Sequence, residues 1–249
     1  MPPSAFVPTP PTWDVVTAVG IGGLAVLMAG VVSWLNARYQ RVSPWLIAAP
    51  ASVWMCGTAA LAMSGVLARF DLTPPPMAVM ILLIFGLPVL MACTAPGARA
   101  AAAWPVASLV GLQIFRLPLE IVMHRAAGLA IMPSELSYSG YNFDIVTGVG
   151  ALVLWLAMRV AHVPRALLWA WNLWGLGCLV VIGWIARSSS PMVRAFGDDP
   201  RHVNTWVLYV PYVWLPTVLV LIALGGHLVL TRKLVSGRVD AWRTVSSHK

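Results

Sequence analysis

The sequence predicts an all-α integral membrane protein, a single bundle of about seven transmembrane helices. Hydrophobic residues make up 59% of the 249 residues and charged residues only 10%, whereas soluble domains average roughly 45–50% and 25%. Apolar runs of spanning length recur along the chain, and charged or proline-containing segments separate them. Basic residues are concentrated in alternate separators. These three observations leave no room for a separate soluble domain.

Seven hydrophobic segments have about the length needed to cross a hydrocarbon core of ~30 Å. They cover residues 13–37, 45–67, 76–95, 101–129, 143–161, 166–186 and 205–231. The residues before the first segment include no Lys or Arg, which argues against a cleavable signal peptide and predicts a retained first span. Residues 1–249 are therefore expected to form one domain, in which 232–249 is a short basic cytoplasmic tail attracted to anionic lipid.

The distribution of charge predicts the orientation. With the N-terminus outside, ten Lys and Arg residues fall on the cytoplasmic side and five on the outer side. This bias is the positive-inside pattern of an inner (cytoplasmic) membrane protein. We therefore expect the N-terminus outside and the C-terminus in the cytoplasm. The same pattern explains the net charge of +8 without nucleic-acid binding.

Several kinds of site are absent from the sequence. It has no HExxH zinc motif, no GxSxG nucleophile elbow, no phosphate-binding glycine loop, and no lysine in the seventh segment for a retinal Schiff base. His162 and His227 both lie near the predicted cytoplasmic edge, but no further feature supports a haem. No cofactor and no metal are therefore predicted. The expected partners are membrane lipids, a small-molecule ligand and a membrane protein partner, with no nucleic acid.

The fourth segment carries a stripe of polar residues. Gln113, Arg116, Glu120 and His124 project within about 80° of each other at ~100° per residue. Such a stripe must face protein or water, because ionisable groups inside membranes usually line the bundle interior. Arg116 and Glu120 are one turn apart, so we expect them to pair with each other and to be buried as a neutral unit.

The depth of this stripe follows from the rise of ~1.5 Å per residue. Counted from Arg99 at the cytoplasmic surface, Arg116 and Glu120 are expected in the outer part of the bilayer, so that a site there opens outward. Pro118 lies between them and removes a backbone donor. A kink or a small hydrated cavity is expected at this position.

Polar residues of other segments are expected to converge on the stripe. Asn142 and Asp144 begin the fifth segment at the same level, and Tyr209 and Tyr212 flank the outer end of the seventh. Asn172 lies nearer the inner end of the sixth segment, where we expect it to serve helix packing. The predicted ligand-binding residues are Gln113, Arg116, Glu120, His124, Asn142 and Asp144.

Three motifs together resemble a group of small bacterial multi-pass membrane proteins. They are Gln113-x-Phe115-Arg116-x-x-x-Glu120, Asn142-Phe143-Asp144-Ile145-x-x-Gly148 and Trp171-Asn172-x-x-Gly175-Leu176. The resemblance covers roughly residues 110 to 180. It implies a helical inner-membrane protein with a site centred on Arg116, Glu120, Asn142 and Asp144, and it implies no activity.

Three functions remain open at this point. In the first, the protein binds or transports a small anionic or amphipathic molecule: Arg116 attracts it, Glu120 balances its charge or relays a proton, and Asn142 and Asp144 orient it. In the second, the protein is a membrane-embedded enzyme acting on a lipid-like or isoprenoid substrate, with Glu120 as general acid or base and Asp144 as its partner. In the third, the polar residues only lock helices together in a structural subunit of a membrane complex.

Overall fold

The structure, a computed structural model, describes residues 8–237, and every regular element in that range is helical. The main helices are α1 (Val15–Leu35), α2 (Trp45–Met63), α3 (Pro76–Cys93), α4 (Ala95–Ala103), α5 (Val106–Gly111), α6 (Arg116–Gly128), α7 (Asp144–Val160), α8 (Arg165–Ser188) and α9 (Leu221–Val235). A π-helical segment, Asn36–Gln40, extends α1, and another, Leu215–Val220, leads directly into α9. A 3-10 turn, Leu112–Phe115, joins α5 to α6.

Six helical segments among residues 8–237 are long and apolar enough to cross a membrane. They are Val15–Gln40, Trp45–Met63, Pro76–Cys93, Val106–Gly128, Arg165–Ser188 and Leu215–Val235. Large apolar side chains on the outside of the bundle, such as Leu82, Val160 and Val180, are exposed. A soluble protein rarely exposes so much contiguous apolar surface, whereas lipid covers it at no cost. The chain is therefore a helical membrane protein.

The fifth predicted segment, 143–161, forms α7, which at 17 residues is shorter than each of these six segments. Its neighbours run antiparallel to it. Gly111 lies against Trp155, and Gly148 lies against Leu117. Later residues of the fourth segment therefore contact earlier residues of α7, so the two run in opposite directions. On the other side of α7, Trp171 of α8 donates to the carbonyl oxygen of Thr147 at 3.1 Å.

The fourth predicted segment, 101–129, is interrupted near its start. Trp104 and Pro105 both have extended backbone conformations, because proline has no N–H to continue a helix and disfavours helical geometry in the residue before it. The short α4 ends there, and the membrane-crossing part begins at Val106. Pro118 was expected to disturb the helix. The disturbance lies one turn earlier, in the 3-10 turn that contains Ile114, because the proline ring would clash with the carbonyl of Ile114 in a regular α-helix.

Contacts distant in sequence define two ends of the bundle. At the N-terminal end, where α1 begins, Arg125 near the end of α6 forms an ion pair with Asp14 at 2.9 Å. At this end the Arg125 guanidinium also holds the pKa of the Asp14 carboxyl well below its usual range. At the C-terminal end, where α9 finishes, the carbonyl oxygen of Leu234 accepts a hydrogen bond from Arg165.

Basic residues at the C-terminal end of the bundle cap helix termini. Arg232 donates to the carbonyl oxygen of Thr94 at 2.9 Å, just after α3, and also to Ala92. Lys233, which is fully buried, donates to the carbonyl oxygen of Ala101 near the end of α4 at 3.1 Å. The last carbonyls of a helix lack intrahelical partners and carry partial negative charge, so cations stabilise them.

The same residues correct the boundary of the predicted tail. The sequence predicts a tail over 232–249 that includes Arg232 and Lys233, but α9 continues to Val235. The helix continues because Lys233 is buried against the carbonyl of Ala101. Residues 238–249, including the other basic residues of that predicted tail, lie outside the described residues.

Candidate functional site

Three of the four residues of the predicted polar stripe face the interior of the bundle, whereas the fourth, His124, is exposed. Gln113, Arg116 and Glu120 are each about 1% exposed. Charged side chains are this buried only when other groups compensate them. The contacts of each residue therefore show what the stripe is built to do.

Arg116 forms its ion pair with Asp144 of α7 and not with Glu120. Its Nε donates to Asp144 Oδ2 at 2.6 Å, and its Nη2 contacts Oδ1 of the same carboxylate. The prediction that Arg116 pairs with Glu120 is therefore wrong. The reason is tertiary: a carboxylate that reaches the guanidinium with both oxygens is a better partner than one along the same helix.

A glycine makes this pairing possible by letting α6 and α7 approach closely. A Cβ atom at Gly148 would lie 2.5 Å from the backbone nitrogen of Leu117. The two backbones are in contact there, as small residues allow between membrane helices. Asp144, one turn before Gly148, is thereby brought to Arg116.

His227 of α9 is the second partner of Arg116. Arg116 Nη1 lies 2.7 Å from His227 Nε2, and His227 Nδ1 lies 2.9 Å from Asn172 Oδ1 on α8. Asn172 then donates to Thr231 Oγ1 at 2.7 Å, and Thr231 donates to the carbonyl oxygen of His227 at 2.9 Å. Asn172, expected to serve only packing near the inner end, thus belongs to the same network as Arg116.

The donors in this chain fix the protonation state of the histidine. A guanidinium nitrogen can only donate, so Nε2 of His227 accepts and carries no proton. The proton of the neutral ring is then on Nδ1, from which it donates to Asn172 Oδ1. His227 is therefore an uncharged member of the network.

Gly175 of α8 provides the space for the histidine ring. A Cβ atom at this position would lie 2.3 Å from Cε1 and 2.4 Å from Nε2 of His227. Trp171 covers the ring from the same helix, with ring centroids 5.2 Å apart. The ring is thus held between a glycine and an indole.

Glu120 is connected to the network through Asn142. The Asn142 amide donates to Glu120 Oε1 at 2.8 Å and to the carbonyl oxygen of Leu136 at 3.0 Å, while its own oxygen accepts from the backbone N–H of Asp144 at 3.1 Å. All the hydrogen-bonding capacity of this amide nitrogen is used. Glu120 Oε2, by contrast, is buried and has no hydrogen-bond partner among the described residues.

Gln113 attaches the same helix face to α9. Its amide nitrogen donates to the carbonyl oxygen of Ala223 at 3.1 Å. Its oxygen, Oε1, is buried and has no partner among the residues that the structure describes. Gln113 and Glu120 therefore each present one unpartnered acceptor.

His124 lies outside this network. Its Nδ1 is 3.2 Å from Ser137 Oγ, and its ring stacks on Tyr138 at 4.4 Å between centroids. The tyrosines expected to complete an outer pocket are also elsewhere: Tyr209 donates to the carbonyl oxygen of Pro8 at 2.8 Å, and Tyr212 packs on Trp206. We name the linked residues Arg116, Glu120, Asn142, Asp144, Asn172, His227 and Thr231 the buried network.

The buried network lies near the middle of the bundle. Arg116 is ten residues after Val106 and twelve before Gly128, which is about 15 Å and 18 Å along the helix. The candidate span begins at Val106 and not near Arg99, so Arg116 lies near the middle of this span, and its depth in the bilayer stays a prediction. Asp144, the most exposed ionisable residue of the network, is only 6% exposed, so the network is enclosed.

The described residues include no group of three or more His, Cys, Asp or Glu side chains placed to hold a metal ion. Both ring nitrogens of His227 contact protein groups, and His162 is exposed. Acid or base catalysis by Glu120 or Asp144 stays a prediction. Comparison with protein-family models, curated protein sequences and solved structures finds no match for this chain.

Proposed function

We propose that this protein is a seven-span inner-membrane protein of the binding or transport class, with the buried network and Gln113 as its ligand site. One observation carries the proposal. Two buried acceptor oxygens, Gln113 Oε1 and Glu120 Oε2, have no partner among the described residues. Unpaired buried acceptors are costly in a folded protein and are satisfied when a donor reaches them.

The contacts of Arg116 bear on the chemistry of the ligand. Each of its three guanidinium nitrogens already contacts Asp144 or His227. Because Asp144 already neutralises the guanidinium, an anion would bring an uncompensated negative charge into the interior, whereas the unpartnered oxygens accept hydrogen bonds directly. The ligand we propose is therefore an amphipathic molecule with hydroxyl or amine donors, in place of the anion that Arg116 suggested from the sequence.

The topology of the proposal rests on α7. Its 17 residues span about 25 Å, at the lower limit for crossing a membrane, and it lies antiparallel between the fourth segment and α8. Counting α7 gives seven spans with the termini on opposite sides. The positive-inside bias then favours a cytoplasmic C-terminal end, and the bacterial group that the motifs within residues 110–180 resemble is one of inner-membrane proteins.

The test compares molecules retained by the purified protein. Wild type, Glu120→Gln and Glu135→Gln are purified in mild detergent and analysed by native mass spectrometry. Glu135 is a matched control, because it is also buried and also has one unpartnered oxygen, Oε2, but it pairs with His202 at 2.5 Å outside the buried network. We expect a small molecule retained by wild type and Glu135→Gln and lost from Glu120→Gln. Equal retention by all three folded proteins, or none by wild type, contradicts the proposal.

A structural lock is the second candidate, favoured by the hydrogen bonds that link Arg116 to Asp144 and His227, Asn142 to Glu120, and His227 to Asn172. These hydrogen bonds join α6, α7, α8 and α9, and each is worth roughly 0.6–2 kcal/mol between membrane helices. On this alternative Glu120→Gln retains the same small molecules as wild type and only its unfolding temperature changes. The same set of variants therefore separates the two functions.

A further inference from the structure

The charges of the buried network sum to zero only in one protonation state of Glu120. Arg116 contributes one positive charge and Asp144, which contacts it with both oxygens, one negative charge. His227 is neutral because its Nε2 accepts from Arg116. With these three groups balanced, an ionised Glu120 would leave one uncompensated negative charge in the interior of the bundle.

The hydrogen bonds of Glu120 do not compensate such a charge. Its Oε1 accepts one bond, from the neutral amide of Asn142, and its Oε2 accepts none from the described residues. An ionised carboxylate needs several donors or a cation when it is removed from water. The nearest cation, Arg116, is already neutralised by Asp144, whose own charge opposes a second carboxylate nearby.

The other titratable groups on the elements packed around α6 are engaged elsewhere. Asp14 beside α1 pairs with Arg125 at 2.9 Å, Glu135 in the turn before α7 with His202 at 2.5 Å, and His124 contacts Ser137 at 3.2 Å. Cys178 of α8 interacts electrostatically with Glu120 and Asp144, but a thiol can only be neutral or negative. None of these groups supplies a counter-charge to Glu120. The neutralising group must therefore be a bound ion.

We propose that Glu120 is a proton-binding site, in which a proton from water is held as the carboxylic acid while the bundle is closed. A proton fits better than a metal cation, since a cation needs several ligands and the described residues include no group of three or more His, Cys, Asp or Glu side chains that could hold one. The acid hydroxyl on Oε2 adds a donor, while the same oxygen can still accept a hydrogen bond from a solute. This inference goes beyond solute binding, because the charge balance holds whether or not a solute is present.

Infrared spectroscopy of the full-length protein in lipid nanodiscs tests the proposal at neutral pH. A protonated carboxyl has a carbonyl stretch that is separate from the carboxylate stretches and shifts in D₂O. We expect this band in wild type, its loss in Glu120→Gln, and its retention in Glu135→Gln. Glutamine has nearly the shape of the protonated acid and retains an acceptor for Asn142, so the variant should fold.

Two results would overturn the inference. One is the absence of the band from wild type at neutral pH, a measurement that needs no variant. The other is a band of equal strength in folded Glu120→Gln. Failure of the solute-retention test leaves the band unaffected, so the proposed function and the proton site are judged separately.

Discussion

Arg116 forms its ion pair with Asp144, 28 residues away in the sequence, although Glu120 is one turn along the same helix. Both oxygens of Asp144 contact the guanidinium, whereas Glu120 is turned toward Asn142 at 2.8 Å. The two carboxylates therefore have different functions. Asp144 neutralises a buried cation, and Glu120 is left as the group whose charge can change.

Loss of the Asp144 charge should be strongly destabilising. Asp144→Asn leaves the Arg116 guanidinium buried without a counter-charge, and breaking a buried pair in this way costs about 3–5 kcal/mol. Combining it with Arg116→Met should recover much of the loss, because no charge is then left unpaired. Thermal unfolding in detergent measures both variants.

Asp198→Asn is the control for this comparison, since the Asp198 side chain is 87% exposed in its pair with Arg194. Exposed pairs contribute about 0–1 kcal/mol, so little change is expected. A drop as large as that of Asp144→Asn would show that the position of the charge in the bundle is irrelevant. That result would contradict the importance of the buried pair.

Gly175→Ala should disturb the histidine. The new Cβ would lie 2.3 Å from the His227 ring, and overpacking of this kind costs about 1–3 kcal/mol. Gly177→Ala, two residues along the same helix, meets no atom within 4 Å and should be neutral or slightly stabilising, since alanine favours helix. Unfolding temperatures that agree between the two variants would show that the ring has room to move.

The ion pair between Asp14 and Arg125 should give a pH-dependent contribution to stability. The guanidinium lowers the pKa of Asp14 below its usual range, so the stabilisation is fully present above the ordinary pKa of about 3.9. It is lost as the pH falls through the lowered pKa of the folded state. We expect Asp14→Asn to unfold at a lower temperature than wild type at pH 7 and the difference to shrink toward pH 3.

Asp71→Asn is the matched control. Arg69 also lowers the pKa of Asp71, but the two residues are only two apart in the chain and both are exposed. Their pair joins no distant parts of the protein. If Asp71→Asn lowers the unfolding temperature as much as Asp14→Asn, the long-range contact is not the cause.

Whether α7 crosses the membrane can be tested with single cysteines. Ser139 and His162 are exposed residues that precede and follow α7. After replacement of Cys56, Cys93 and Cys178, we expect Ser139→Cys to react with an impermeant maleimide from outside intact cells and His162→Cys only after permeabilisation. Labelling of both from the same side would show that α7 does not cross the membrane.

The polar stripe could be predicted from the sequence, because helical periodicity alone puts Arg116 and Glu120 on one face. Burial of both residues confirms that this face is internal. The partners of these two residues could not be predicted from periodicity. An i, i+4 rule assigned Glu120 to Arg116, whereas the real partner depends on how closely α6 and α7 approach at Gly148.

The place of His227 in the buried network could not be predicted from the sequence. It lies in an apolar run near a basic segment, so its position suggested the cytoplasmic edge. The rotation of α9 turns it inward, and Asn172 meets it from α8 at 2.9 Å. Two local signals were present: glycines directly precede His227, and Gly175 follows Asn172 by one turn. Each glycine permits an approach that periodicity cannot show.

The caps formed by Arg165, Arg232 and Lys233 at the C-terminal end of the bundle have a consequence for membrane insertion. In the proposed orientation, these are among the charges that keep this end in the cytoplasm, and the same side chains complete the ends of α3, α4 and α9. The direction of insertion and the integrity of the helix ends thus depend on shared residues. Moving these charges to invert the protein would also leave helix carbonyls uncapped, so an inverted bundle would be a less stable one.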